Sequence, residues 1–274
     1  MPSGVPGFYE ILTQAVAYFG EHGYGDEAAL VQWMRLLRQA AEADLLPLPE
    51  VERQISTRLG SIYQRLVERA GLLKHHPGVA RFTINQLRPQ LRAELDRRIM
   101  ASVGLIKLHR EEAVSETLRR FAGWATSIPP GGAADIRRAP VKTRIRQELA
   151  RTPYRKRVVD IDQGHKLTAN LHDILATGSG AIAAVWQHHH VRYPRAEHLR
   201  RDGTVFLIRG SWAHQAGLVK PLKAGFTDEV ERPGELPMCR CSSVFLSSLR
   251  QLPPGMLTAK GKTELARINA LLAA

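Results

Sequence analysis

Residues 177–187 read Thr177-Gly-Ser-Gly-Ala-Ile-Ala-Ala-Val-Trp-Gln187, and in this stretch the chain changes from helical to β-prone character. Gly178 and Gly180 interrupt a helical pattern, and the apolar run that follows is short and bounded by turn residues, as is typical of a strand. The runs 204–208 and 241–245 have the same character. Glycines and prolines cluster between the three runs. We therefore predict a small, loop-rich β region in the C-terminal half.

Upstream of this stretch, apolar residues recur at three- and four-residue steps, which predicts helices. The predicted helices cover 27–44, from Pro49 to a cap at Gly71, 141–150 and 155–176. The longest apolar stripe runs from Leu87 to Phe121, with Pro89 in the first turn and Gly104 as a point where the stripe can divide into two helices. A last helix is predicted over 262–272.

The fold class predicted from these patterns is α+β, a mainly helical N-terminal half followed by a small loop-rich β region on a helical base. The run Ser127-Ile-Pro-Pro-Gly-Gly-Ala-Ala134 is a loop, since two prolines followed by two glycines cannot continue a helix. We predict a helical region over 1–130, a second domain over 131–250 and a tail helix over 251–274.

The chain carries 39 Lys and Arg against 26 Asp and Glu among 274 residues, a net charge of +13. Such an excess attracts polyanions and says little about fold. The N-terminus lacks the basic and apolar regions of a signal peptide, and no stretch is long and apolar enough to cross a bilayer. We expect an intracellular protein without a membrane partner, in which two cysteines provide no disulfide framework.

The basic excess is concentrated between residues 137 and 157, where nine cations accompany one acid, Glu148. The nine are Arg137, Arg138, Lys142, Arg144, Arg146, Arg151, Arg155, Lys156 and Arg157. Such a segment can bind duplex DNA in a salt-sensitive way, dock an acidic protein surface, or form a solvated helix face. Only Tyr154 interrupts it, which argues against a stacking platform for single strands.

Histidine and cysteine form a candidate metal site in the C-terminal half. His198 precedes an Asp-Gly turn, and Cys239-Arg-Cys241 follows a proline-rich loop. Thiolate and imidazole are ligands that zinc prefers, and a small β region would gain stability from a structural zinc. A fourth ligand would be one of three histidines: His188, His190 or His214. The competing interpretation is two half-buried thiols beside a histidine that bonds to a loop backbone.

Catalytic signatures are missing from the sequence, including nucleophile elbows, phosphate-binding loops and the His-Glu-Xaa-Xaa-His motif. Glu197 beside His198, and Asp160 with Asp162, are acidic groups of a kind expected by chance. We therefore assign no catalytic residue and predict that the protein is not an enzyme. The C-terminal half is expected to present a docking surface rather than a substrate pocket.

Several short motifs occur in one order between residues 140 and 250. They are Ala150-Arg-Thr-Pro-Tyr-Arg155, Asp162-Gln-Gly-His-Lys-Leu167, Ala181-Ile-Ala-Ala-Val-Trp186, His198-Leu-Arg-Arg-Asp-Gly203, Leu207-Ile-Arg-Gly-Ser-Trp-Ala213, Pro233-Gly-Glu235 and Cys239-Arg-Cys241. In this order they resemble the Mu F-like head morphogenesis proteins, the minor head proteins of tailed phages and prophages.

The resemblance implies a structural minor head protein that is made in the host cytoplasm and incorporated into the virion near the portal. Portal and capsid proteins are the implied partners, and the basic segment would lie beside packaged double-stranded DNA. One branch of the family carries a four-ligand zinc pattern. Here His198 stands at the second position of that pattern, whereas Arg195 and Leu236 replace the first cysteine and the later histidine.

The alternative to an assembly role is a free basic factor that binds or processes nucleic acid. It rests on the net charge of +13 and on the basic segment alone. A toxin-like enzyme is a third interpretation, for which the chain has little unassigned length.

Overall fold

A computed structural model of the chain describes residues 6–68, 81–133, 136–189 and 194–273. The helices in these ranges are α1 (Phe8–His22), α2 (Glu27–Ala43), α3 (Leu48–Tyr63), α4 (Arg81–Ala125), α5 (Arg138–Ala150), α6 (Thr152–Gly178), α7 (Ala196–Arg200), α8 (Trp212–Gln215) and α9 (Ala259–Ala273). The strands are β1 (Ala183–Gln187), β2 (Val205–Leu207) and β3 (Ser242–Leu246). The predicted α+β class, mainly helical with a small sheet in the C-terminal half, is confirmed.

The chain divides into two compact units. Unit 1 comprises Met1–Ser56 with Met100–Asp160, and unit 2 comprises Thr57–Ile99 with Ile161–Ala274. Helices α3, α4 and α6 each contribute residues to both units, so the chain passes between the units inside helices rather than at loops. The domain boundaries expected after residues 130 and 250 stay predictions.

The core of unit 1 is built from helices that present apolar residues at helical spacing. Helix α1 buries Leu12 and Phe19, and the ring of Phe19 meets Phe121 of α4 edge to face at 5.8 Å between centroids. Helix α2 begins at Glu27 because Asp26 accepts a hydrogen bond from the backbone of Ala28 at 2.9 Å, an N-cap. The apolar spacing had predicted α2, whereas α1 was not predicted.

Unit 2 contains an antiparallel sheet with strand order β2-β1-β3. Successive residues of a strand point to opposite faces, which divides the sheet into two surfaces. Ala183 and Leu207 belong to one face, and they pack in a core with Leu249 and Met256. The other face carries Ala184, Trp186 and Phe206, and a cavity between the sheet and helix α6 lies on this side.

Several predicted helix details are corrected. Helix α4 is continuous from Arg81 to Ala125, so Gly104 does not divide it and Pro89 lies in its interior rather than in its first turn. An interior proline removes one backbone hydrogen bond and crowds the preceding turn, so Pro89 is a local weak point of α4 rather than a mark of its start. Helix α6 begins at Thr152 and continues to Gly178, past the predicted end. The predicted cap at Gly71 lies outside the described residues.

Candidate functional site

The structure brings His198, Cys239 and Cys241 into one buried cluster in unit 2. His198 Nδ1 lies 3.4 Å from Cys239 Sγ and 3.5 Å from Cys241 Sγ. A tetrahedral zinc with bonds of about 2.1 Å to nitrogen and 2.3 Å to sulfur places such ligands roughly 3.6 Å apart. The donor types and their separations therefore fit a zinc-like cation.

Short local structures position the three side chains. His198 is carried by the single-turn helix α7, while the cysteines precede β3 on a loop. Met238, the residue before Cys239, has a left-handed backbone with φ 58°, and its N–H donates to Asp162 at 2.6 Å. Met238 is thus held in a sparsely populated conformation by a carboxylate of α6, which turns the next residues toward His198.

A second layer of polar contacts surrounds the cluster. His198 Nε2 lies 3.6 Å from Glu231 Oε1, and Arg201 holds the other oxygen of Glu231 at 3.0 Å. The backbone N–H of Gly234 donates to Cys239 Sγ at 3.4 Å. A carboxylate behind a ligating imidazole and an amide aimed at a thiolate are the usual supports of a metal site.

The protonation states follow from burial. Burial and the nearby positive charge of Arg195 lower the pKa of His198, so the imidazole is neutral at pH 7, the form that binds metals. Burial, together with the neighbouring Cys239, raises the pKa of Cys241 to about 11. A bound cation would favour the thiolates instead, because its charge reverses the local preference.

The expected fourth ligand is not found among the described residues. His188 is buried and His214 is half-buried, yet neither belongs to the cluster. His214 Nδ1 accepts from the backbone of Gly210 at 3.3 Å, and its ring packs against Phe226 at 5.3 Å. His190 lies outside the described residues. The cluster thus supplies three ligands, and a fourth position would be filled by solvent or by a group not described.

Arg195, which replaces a cysteine of the zinc-binding branch, contacts the cysteine loop in another way. Its Nη2 donates to the carbonyl of Pro237 at 2.7 Å, two residues before Cys239. Leu236, which replaces the histidine of that branch, packs with Trp186 and the cysteines in a small apolar cluster. At the two positions where the resemblance would place metal ligands, Arg195 therefore forms a hydrogen bond and Leu236 packs against apolar side chains.

The basic segment maps to α5 and the start of α6, and part of its charge is neutralised within unit 1. Glu148 is buried and accepts from Arg151 at 3.1 Å, from Arg155 at 2.8 Å and from Arg120 of α4 at 3.1 Å. Lys156 pairs with Asp160 at 3.1 Å. One buried carboxylate thus gathers several cations that the sequence suggested were available to an anionic partner.

The remaining cations of the segment differ in exposure and in partners. Arg138 pairs with Glu21 at 3.3 Å, and Lys142 and Arg146 lie over the ring of Tyr9. Three exposed arginines have no side-chain partner in the described part of unit 1: Arg137, Arg144 and Arg157. These three are the cations available to an external phosphate or carboxylate.

The acidic residues considered for acid–base work have structural partners. Asp162 pairs with Lys166 at 2.9 Å besides accepting from Met238, and Asp160 holds Lys156. Glu197 pairs with Arg200 on the exposed side of α7. These contacts account for all three carboxylates without a substrate, and the absence of enzymatic activity stays a prediction.

Unit 2 also contains a cavity of about 910 Å³, which sequence analysis did not anticipate. The cavity forms between α6 and a sheet face whose pairing no local pattern revealed, and the expectation of a docking surface rather than a substrate pocket stays a prediction. One hydroxyl–imidazole pair borders it, His189 Nε2 with Ser242 Oγ at 2.8 Å. No carboxylate of the described residues bonds to the His189 ring, the third group that an activated nucleophile needs.

Fold and site together define an α+β protein with a buried cysteine–histidine cluster and a basic helical surface. Neither a scan of protein-family models nor searches of curated proteins and of solved structures found a match to this chain. Among the described helices, none combines the length and the apolar character needed to span a membrane.

Proposed function

We propose that the chain is a structural minor head protein of a tailed phage or prophage that acts in head morphogenesis near the portal. The observation that carries this proposal is that six of the seven ordered motifs, those between Asp162 and Cys241, lie in unit 2 and contact one another there, whereas the motif Ala150–Arg155 lies in unit 1. Residues far apart in sequence, from the helix α6 motif to the Cys-Arg-Cys motif, contact one another there. Motifs that together build one surface are expected to share a structural task.

The contacts between these motifs are specific. Gly203, at the end of the His198 motif, donates to the carbonyl of Trp186 in β1 at 2.8 Å. Asp162 of the α6 motif bonds to the backbone before Cys239, as described above. Trp186 packs its ring against His198 at 5.1 Å between centroids. The motifs thus support one another as a scaffold, which favours docking over turnover.

The assembly role is tested by particle composition. Purified virions or procapsids are expected to contain the polypeptide, and particles assembled without it are expected to package or infect poorly. Complementation with His198→Ala should restore assembly less well than complementation with His214→Ala, the matched histidine outside the cluster. Full infectivity of particles that lack the protein would refute the role.

We further propose that the cysteine–histidine cluster holds a structural zinc. His198, Cys239 and Cys241 would be its protein ligands, and the ion would stabilise the small β region as a cross-link between α7 and the loop before β3. Elemental analysis of the purified protein should give about one zinc per chain. Zinc content well below one atom per chain, or content unchanged in Cys239→Ser with Cys241→Ser, would refute this.

The basic segment is proposed to contact packaged duplex DNA through Arg137, Arg144 and Arg157. Replacing all three with Gln should reduce the slope of log affinity against log salt by about 0.9 for each phosphate that the variant no longer neutralises. The ion-paired Arg138→Gln serves as the control in the same segment and should change the slope less. Equal effects of the two changes would show that these arginines do not bind the phosphates.

The second candidate function, a free nucleic-acid-binding factor, is favoured by the same three arginines. The two functions are distinguished by location rather than by affinity. Salt-dependent duplex binding by a protein that is absent from particles supports the free factor. Presence in particles with no measurable duplex binding supports docking to portal or capsid protein alone.

A further inference from the structure

The cavity of unit 2 lies between two regular surfaces. On one side, helix α6 presents His165, Thr168, Ala169, His172 and Asp173, which recur at helical spacing along one face. On the other side is the sheet face that points away from the core formed by Ala183, Leu207, Leu249 and Met256. Its lining residues alternate along the three strands: Ala184 and Trp186, Phe206, Ser243 and Phe245. The cavity is therefore a built feature of the fold rather than a gap between loops.

The volume of about 910 Å³ is within the range of small-molecule sites, which is about 300–1,000 Å³. An apolar wall includes Phe206 of β2 and Ile208, the residue after β2, and Leu87 of α4 adds to it. Apolar walls with a few convergent polar groups are characteristic of sites that bind organic molecules.

Most charges around the cavity cancel in pairs. Arg209 bonds to Asp228 at 2.9 Å, and Arg232 bonds to Asp173 at 2.9 Å. Glu231 is held by Arg201 at 3.0 Å. All three acids that line the cavity therefore have a cationic partner already.

Arg240 is the exception among the charged lining residues. It is exposed, it lines the cavity, and it has no ion pair or hydrogen-bond partner among the residues that the structure describes. His165 and His189 line the same cavity, as do the hydroxyl-bearing residues Ser242 and Ser243. One uncancelled guanidinium with imidazole and hydroxyl donors is a set that recognises carboxylate or phosphoryl oxygens.

We propose that this cavity binds a small organic anion, with its carboxylate or phosphoryl group at Arg240 and its apolar body against the sheet. The inference is independent of the assembly role, since it uses neither the basic segment nor the motif order. It assigns Arg240, the residue between the two cysteines, a binding task of its own.

The test uses fluorine NMR of the full-length protein with three probes of one shape. The probes are 4-fluorobenzoate, 4-fluorophenyl phosphate and the uncharged 4-fluorobenzyl alcohol. At least one anionic probe is expected to bind tenfold or more tightly than the alcohol, and the preference between the two anions distinguishes carboxylate from phosphoryl ligands. Inorganic phosphate, which has no fluorine and is measured by its displacement of the aromatic phosphate, should bind more weakly because it lacks the apolar body.

Two pairs of variants locate the binding. Ser243→Phe fills the cavity and should abolish binding, whereas Val244→Phe places the same side chain on the next residue of β3, which does not line the cavity. Arg240→Gln should weaken the anionic probes about tenfold and leave the alcohol unchanged, whereas Arg250→Gln, an exposed arginine bonded to Asn269, should change neither. Zinc content is measured for Arg240→Gln to separate anion binding from an effect on the neighbouring cysteines.

The proposal is overturned if the alcohol binds as tightly as both anions, or if Ser243→Phe leaves binding intact. Absence of binding by all three probes at about 10 mM also overturns it, since that is weaker than sites of this size provide. None of these outcomes bears on whether the protein is found in particles.

Discussion

Replacing Glu94 with Gln is expected to lower the free energy of unfolding of unit 2 by about 3 kcal/mol. Glu94 of α4 is buried, and its carboxylate accepts hydrogen bonds of 2.8 Å from Arg98 and from Asn170 of α6. Glu94 thus connects two helices of unit 2 through a single buried charge.

The magnitude follows from the exposure of its partners. Removing one member of a buried ion pair costs about 3–5 kcal/mol, because the other charge stays buried. Arg98 has a side chain only 12% exposed, and it also donates to Gln163 at 3.3 Å, which places the loss at the lower end. Arg97 is 56% exposed, so its pairing with Glu94 adds about 0.5 kcal/mol or less.

The same carboxylate makes the stability of unit 2 depend on pH. Burial raises the pKa of Glu94, but the hydrogen bonds from Arg98, Asn170 and Arg97 outweigh burial and lower it below its ordinary 4.5. Its stabilisation is therefore fully present above about pH 4.5 and is lost as the pH falls through the folded-state value. The difference between the native chain and Glu94→Gln should shrink over that acidic range.

Hydrogen exchange of the β1 amides during urea unfolding reports on unit 2 separately from unit 1. The matched control is Asp96→Asn, a nearby carboxylate of α4 that is 53% exposed and paired with Arg92 at 3.2 Å. Asp96→Asn should lower the free energy of unfolding by less than about 1 kcal/mol. An equal loss in both variants, or a loss from Glu94→Gln that is the same at pH 7 and at acidic pH, would refute the reasoning.

Further predictions concern unit 1 and the cluster. Gly23→Ala should destabilise unit 1 by about 2–3 kcal/mol, since Gly23 has φ 71° and an added Cβ would lie 1.8 Å from the carbonyl of Pro129; thermal unfolding unchanged from the native chain would contradict this. Glu148→Gln should cost about 1–2 kcal/mol and, by releasing Arg151 and Arg155, tighten duplex binding, which filter binding at several salt concentrations measures; weaker binding would argue against a DNA-facing segment. Removing metal with a chelator should increase hydrogen exchange in the loop before β3, and exchange that does not respond would argue against a structural ion.

Much of the helical architecture could be predicted because it depends on local spacing. The pattern of Leu30, Leu37 and Ala41 specifies one face of α2, and those residues are buried in the structure. Helix α1 was missed although Phe8, Ile11, Leu12 and Phe19 have the same spacing, so its signal was present in the sequence. Pro89 was expected in a first turn, where proline is common, but α4 already begins at Arg81 and is 45 residues long.

The candidate metal ligands were also accessible from sequence, because residue chemistry limits which side chains can hold a soft cation. That three of them meet, and that His188 and His214 do not join them, depended on how α7 and the loop before β3 pack. Cys239 lies 41 positions after His198 in the sequence. No periodicity carries information over that distance.

The sequence by itself determined where most of the helices and the three strands form, how much charge the chain carries and which residue types could bind a metal. Only the tertiary structure decided which of those charges remain available, since Glu148 neutralises cations from two helices and Arg240 is left without a partner among the described residues. Only the tertiary structure created the cavity between α6 and the sheet. The physical reason is that helix formation depends on neighbouring residues, whereas charge pairing and enclosed volume depend on distances in space between distant parts of the chain.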